Sequence, residues 1–197
     1  RQRQMCIRDR FIDSCLKIGY LFPRAHAVAY VMMAFRIAWF KVYQPLAYYA
    51  AYFTIRAEGS FNAPVILKGL ESQKAELARI AALEHSTAVE KGNATVIEVA
   101  AEMYLRGMEF LPIDLDRSDA SEFKMVDGKL LPPFNCIPAL GDAVAKEIVR
   151  ARGEHLFTSK EDLKKRGKVS QSIIDTMDSM GILKNMPDEE QISLFSF

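Results

Sequence analysis

Apolar positions recur at helical spacing over most of the chain and switch to alternation over one stretch. From Pro23 to Tyr43 they lie nearly all round a long predicted helix: Tyr30, Met32, Met33, Phe35, Ile37, Trp39 and Phe40. Arg24, His26 and Arg36 are its polar exceptions. A helix apolar on most of its surface is expected to be buried. Pro45 fits the first position of the next helix, Leu46 to Ala57, which carries Tyr48, Tyr49, Tyr52 and Phe53. On periodicity, both helices read as core. After a loop over 58–63, Pro64 restarts a helix expected to run to about His85. Its Leu67, Leu70, Leu77, Ile80 and Leu83 face inward, and Lys68, Lys74 and Arg79 interleave with Glu71, Glu76 and Glu84 on a solvated face. Lys91-Gly92-Asn93 reads as punctuation, and Ala94 to Arg106 as a helix closed by Gly107 at C′.

The period then changes. Ile113 to Asp116 and Glu122 to Met125 alternate, and Asp127-Gly128 between Val126 and Lys129 is a hairpin-turn signal. Met108 to Leu131 therefore reads as a small β element, with a domain boundary near Phe110. Asp114 and Asp116, at alternating positions, read as solvent-facing.

Phe134 to Arg152 returns to helix through a turn, Ile137-Pro138-Ala139-Leu140-Gly141. Pro138 fixes φ, and Gly141 is suited to a φ that other residues avoid. Asp142 falls at or near the N-cap, and Leu140, Val144 and Ile148 share one face. Such a turn aims free backbone N–H groups outward at a helix N-terminus, a phosphate-sized anion site. This is the pattern of a helix-hairpin-helix hairpin, which grips nucleic-acid backbone without reading bases; a plain helical corner is the simpler alternative. A capping box at Thr158–Glu161 or Ser159–Asp162 opens a second helical unit. It turns at Gly167, restarts near Ser170 and runs through Ile173, Ile174 and Met177 to Gly181. Lys160, Lys164, Lys165, Arg166 and Lys168 surround its loop. The fold class is thus mainly α with a small β-hairpin element, ending in a tandem helix-hairpin-helix module.

Charge adds a constraint. The 197 residues carry a net charge of +1, so a nucleic-acid role must rest on local clusters. Cys6, Cys15 and Cys136 are widely spaced, and His26, His85 and His155 form no ligand cluster, so free thiols in a reducing compartment are expected. The most apolar window, Ala25 to Phe40, is short for a bilayer span, and no membrane partner is expected. Arg1 to Arg10 is polar, basic and aperiodic. It reads as a non-native tag or read-through, with a disordered arm as the alternative. Asn185 to Phe197 is not domain-like, and its terminal Leu194 and Phe195 suit either internal docking or insertion into a partner's groove.

Four stretches in series, FPRAHAVAY, LPPFNCIPALGDAVAKEIVRAR, LFTSKEDLKKRGKVSQSIIDTMDSMGIL and QISLF, resemble the C-terminal end of PolC-type bacterial DNA polymerase III α subunits over Phe11 to Phe195. The resemblance implies that residues 11–110 are the C-terminal part of the fingers, with Arg24, His26 and Tyr30 toward the incoming deoxynucleotide triphosphate. It implies that residues 111–183 hold duplex DNA, with Ile137, Ala139, Leu140, Gly141, Lys146, Lys160, Lys164, Lys165, Arg166 and Lys168 as candidate contacts. In the tail, 184–197, it implies that Gln191, Ile192, Ser193, Leu194 and Phe195 bind a sliding clamp. Ser196-Phe197 extend past the usual end of that motif. The palm, with its metal-bound carboxylates and Mg2+, would lie upstream, so the piece by itself is expected to bind no cofactor and to be inactive, within a cytoplasmic replisome. A stand-alone helix-hairpin-helix adaptor in repair or recombination is the alternative, and a purely structural helical protein a third.

Overall fold

The computed structural model describes residues 2–17, 24–57 and 59–189. Its elements are α1 (Gln2–Leu16), α2 (Arg24–Tyr43), α3 (Pro45–Arg56), α4 (Ala63–Ile66), α5 (Leu70–Ala81), α6 (Ala88–Leu105), β1 (Lys124–Val126), β2 (Lys129–Leu131), a 3-10 turn (Phe134–Cys136), α7 (Asp142–Glu154), α8 (Lys160–Arg166) and α9 (Gln171–Ser179). The chain is mainly helical with one two-stranded antiparallel hairpin, as the periodicity predicts.

Two units divide between Tyr43 and Gln44. The first holds α1 and α2. The stretch expected to be a tag or a disordered arm is helical from Gln2, which corrects the disordered alternative. It contains no Gly or Pro, and Arg, Gln and Met favour helix. In α2 no residue is buried, contrary to the expected core role. Tyr30, Val31, Phe35 and Tyr43 are all more than 60 % exposed, so its apolar surface has no cover among the described residues. The bilayer expectation also changes. The helix extends to 20 residues, long and apolar enough to cross a membrane by length and composition alone.

The second unit is built on one hydrophobic cluster that runs from Tyr49 to Leu183. Its centre is aromatic: Phe53, Phe61, Phe110 and Phe123 meet edge to face or tilted, with centroids 5.1–6.1 Å apart. That geometry suits the ring quadrupoles. These rings join α3, the loop after it, the stretch that follows α6 and the approach to β1. The Thr54 hydroxyl also accepts from the Phe123 amide at 3.0 Å. This packing is why no division falls at the boundary expected near Phe110.

Local corrections follow from glycines and caps. Gly69, at φ +96, breaks the helix expected over 64–85 into α4 and α5. Gly92 does not punctuate. It lies inside α6, where an added Cβ would stand 3.3 Å from the Ser60 hydroxyl. The helix starts earlier than expected because Thr87 and Glu90 form a capping box. Asp127 and Gly128, at φ +51 and +75, make the β1–β2 turn as predicted. Ile113–Asp116 is a turn instead of a strand: the Asp114 carboxylate accepts from the Asp116 and Arg117 amides at 2.8 and 3.1 Å.

Candidate nucleic-acid interface

The first hairpin begins at buried Phe134, whose carbonyl accepts from Ile137 N at 2.9 Å. Ile137 in turn accepts from Leu140 N at 3.1 Å, so Pro138 and Ala139 are the central residues of a tight turn. Pro at the first and a positive φ at the second is the type II pattern. The left-handed residue is Ala139, at φ +64. Gly141, to which the unusual φ was assigned, has φ −79 and is the N-cap of α7, with Asp142 one place later. Neither backbone strain nor crowding requires glycine there, since an added Cβ would meet nothing within 4 Å. Its effect is to leave the start of α7 bare. The N–H groups of Gly141, Asp142, Ala143 and Val144 have no acceptor among the described residues. The Asp142 carboxylate is held by Asn135 Nδ2 at 3.1 Å.

The second hairpin carries equivalent residues at a constant offset, although its turn differs: Gly167, with ψ −7, is helical where a type II turn needs an extended residue. Leu163 corresponds to Phe134, Lys168 to Ala139, Val169 to Leu140, Ser170 to Gly141, Ile174 to Ala145 and Met177 to Ile148. Lys168 has φ +53, matching Ala139. Leu140, Ala145 and Ile148 are buried, as are Val169, Ile174 and Met177. Gly167 is required by packing, because a Cβ would lie 2.7 Å from the Leu163 carbonyl oxygen. Ser170 N-caps α9 through its backbone, and the N–H groups of Ser170, Gln171 and Ser172 likewise have no acceptor among the described residues. Each hairpin thus presents a bare helix N-terminus beyond a left-handed residue and a buried aliphatic.

The start of α8 is the contrast. Ser159 Oγ accepts from Asp162 N at 3.0 Å, which makes Ser159 the N-cap, while the Asp162 carboxylate accepts from Thr158 N at 3.2 Å and does not close a reciprocal box. Lys160 N and Glu161 N donate to the Pro187 and Asp188 carbonyls at 2.9 and 3.1 Å. This end is closed by the chain's own tail.

The candidate contacts separate by environment. Ile137 and Leu140 are buried, so they can offer only backbone, whereas Ala139 and Gly141 are exposed. Lys146 is exposed and has no ion-pair partner among the described residues. Lys168 lies 2.9 Å from Glu147, and hydrogen bonds from Arg150 and Lys168 hold that carboxyl down at about 2. Lys164 donates to Gln171 at 3.1 Å, and Lys165 pairs with Glu161 at 2.9 Å. Lys160 is mostly covered and bridges Asp188 and Asp178 at 2.9 and 3.2 Å, which raises its pKa. Arg166 is not available to a phosphate. It pairs with Asp162 at 2.8 Å, donates to the Ala151 and His155 carbonyls, and lies over the Phe157 ring. It therefore closes the C-terminus of α7, whose last carbonyls have no partner within the helix.

A cleft of about 480 Å³ opens beside the first hairpin, with Ser60, Asn62, Asn93, Ser121 and Asn135 on its walls. Sequence reasoning missed it, because those residues come from four separate segments with no shared local signal. On α2, Arg24, His26 and Tyr30 are all exposed. His26 and Tyr30, one turn apart, meet edge to face at 4.6 Å. Arg24, two residues from His26, projects from another side of the helix. Gln191 to Phe195 lie outside the described residues.

Residues 107–192 match the helix-hairpin-helix motif family, which spans both hairpins. Over 98 % of its length the chain is 50 % identical to the DNA polymerase III PolC-type of Thermotoga maritima. The chain is homologous to a segment of PolC-type DNA polymerase III. The Pediococcus pentosaceus and Bacillus subtilis PolC-type polymerases are 51 % and 50 % identical over 99 % and 96 % of the chain. The chain spans 13–14 % of the length of these PolC-type relatives.

Proposed function

We propose that the chain is the duplex-holding and fingers-end portion of a replicative DNA polymerase, and that it grips DNA by the backbone. The repeated hairpin supports this best. Two bare helix N-termini at equivalent positions suit two phosphates, and the turn of the first hairpin exposes only Pro138, Ala139 and Gly141, none of which reads base edges. Exposed Lys146 and Lys168 add positive charge beside them.

Within the parent polymerase, Arg24, His26 and Tyr30 would face the incoming deoxynucleotide triphosphate, and the apolar surface of α2 would be covered by polymerase, not lipid. The carboxylates and Mg2+ ions of nucleotidyl transfer belong to the parent's palm. Gln191 to Phe195 would insert Leu194 and Phe195 into a sliding clamp, and tethering would turn a modest peptide affinity into processivity. The compartment is the bacterial cytoplasm, at the replisome.

Duplex affinity of the full chain, measured at two salt concentrations, tests the grip. Binding through a few phosphates should weaken roughly 10- to 100-fold between about 50 and 200 mM salt, and Lys146→Ala should lower the salt slope by about 1. A flat salt dependence would sink the backbone reading. Pull-down with the sliding clamp tests the tail: equal recovery of the chain with and without Leu194→Ala plus Phe195→Ala counts against the clamp peptide. Arg24→Ala in the full-length polymerase should raise the KM for nucleotide; an unchanged KM removes Arg24 from the site.

A further inference from the structure

A second basic surface lies on α8 and reaches the start of α9 at Gln171. Lys160, Lys164 and Lys165 border a cleft of about 520 Å³ with Glu161, Gln171 and Ile174, and Asp188 and Glu189 of the tail complete its wall. The tail is held there at three points. Its Pro187 and Asp188 carbonyls accept from the Lys160 and Glu161 amides, and the Asp188 carboxylate meets Lys160 Nζ at 2.9 Å. Lys160 also pairs with Asp178 of α9, and Lys165 with Glu161. Asp188 thus sets an anionic oxygen against Lys160, as a phosphodiester would, and Glu189 lines the same cleft that Lys164 and Lys165 border.

We propose that this cleft is a second phosphate-binding surface, that Pro187–Glu189 occupies it as a strap, and that tail and duplex compete for its lysines. The proposal rests on the duplex-gripping reading above. Its consequence is a coupling through the tail. Pulling on residues beyond Glu189, as binding of the following segment to a partner would do, releases Lys160 from Asp188 and withdraws two acids from the cleft that Lys164 and Lys165 border. Partner engagement and duplex affinity then rise together.

The test is duplex binding by the full chain carrying Asp188→Asn plus Glu189→Gln. These substitutions keep the backbone carbonyls that close α8 and remove only the competing charge. Affinity should rise about 3- to 10-fold, and the salt slope should steepen by about 1 to 2 as lysines gain phosphates. A charge-matched variant on α5 and the loop after it, Glu71→Gln plus Glu84→Gln, should stay within about twofold of wild type. That comparison separates competition from the general gain in net charge. Adding Lys164→Ala plus Lys165→Ala to the strap variant should erase the gain, while the same pair in the unaltered chain should cost less than it does in the strap variant. The strap is overturned if its variant binds no tighter than the charge-matched one while Lys146→Ala still weakens binding. Equal costs of the lysine pair in both backgrounds would also overturn it, by showing the cleft already open. If neither the strap variant nor Lys146→Ala changes binding, the duplex reading falls with it.

Discussion

The two hairpins share a left-handed residue and a buried face but differ in what they show to solvent. At Pro138-Ala139-Leu140-Gly141 the surface is small and uncharged, and the amides that follow are uncovered. At Gly167-Lys168-Val169-Ser170 the equivalent stretch carries a lysine, preceded by an arginine that is wholly engaged within the fold. One hairpin offers dipoles and the other offers charge. The difference shows that a structural repeat can keep its left-handed residue and its buried face while its turn type and exposed chemistry diverge. It also shows that a basic residue near a hairpin is not automatically a contact: Arg166 ties α7 to α8.

Removing Arg166 is the harshest test of that division. Arg166→Ala strips a mostly covered ion pair, leaving Asp162 without its charge partner and the α7 carbonyls without a donor, so it should destabilise the chain by about 3 kcal/mol in denaturant unfolding. Near-native stability with a large loss of duplex affinity would reverse the assignment and make it a contact. At the first hairpin, Gly141→Leu puts a side chain into open space at an ordinary φ. Stability should change by less than about 1 kcal/mol, while duplex affinity falls about tenfold, or roughly 1.4 kcal/mol, because the phosphate can no longer approach the amides. An unaffected affinity would mean that the bare amides are not used.

Ala139→Gly sharpens the turn itself. Relief of a left-handed alanine should stabilise the chain by about 0.5–1 kcal/mol, a gain visible in thermal melts, with duplex binding unchanged. The smallest effect concerns Glu147, which reaches from α7 to Lys168 in the second hairpin. Its pKa is depressed in the folded chain, so its contribution is fully present above the ordinary glutamate value of about 4.3 and is lost as pH falls toward about 2. Acid unfolding followed across that window should lose part of its pH dependence in Glu147→Gln; identical profiles would show that the tie is inert.

Much of this was legible from local chemistry. The Asp127-Gly128 turn, the Ser159 cap, Gly107 at the end of α6 and the restart at Ser170 each depend on one or two residues whose backbone preferences are strong. What escaped depended on distant partners. Gly92 looked like a break because the Ser60 hydroxyl that it accommodates is far away in sequence. Arg166 looked like a DNA contact because three of its acceptors are backbone carbonyls, which carry no residue signature. The positive φ was given to Gly141 because glycine favours it, yet the type II turn places it at Ala139 and leaves the glycine for access. The exposure of α2 has the opposite cause. Its composition predicts burial, which none of its residues meets among those described, and composition does not say where a covering surface would come from.

The aromatic cluster of Phe53, Phe61, Phe110 and Phe123 has a practical consequence for dissection. Every ring in it lies after Gln44, as do both hairpins, the β-turn and the closed end of α8. A polypeptide begun at Gln44 would keep this whole inventory and shed the apolar surface of α2. Limited proteolysis near residue 44 should therefore yield a long-lived product, and that product should melt in one transition.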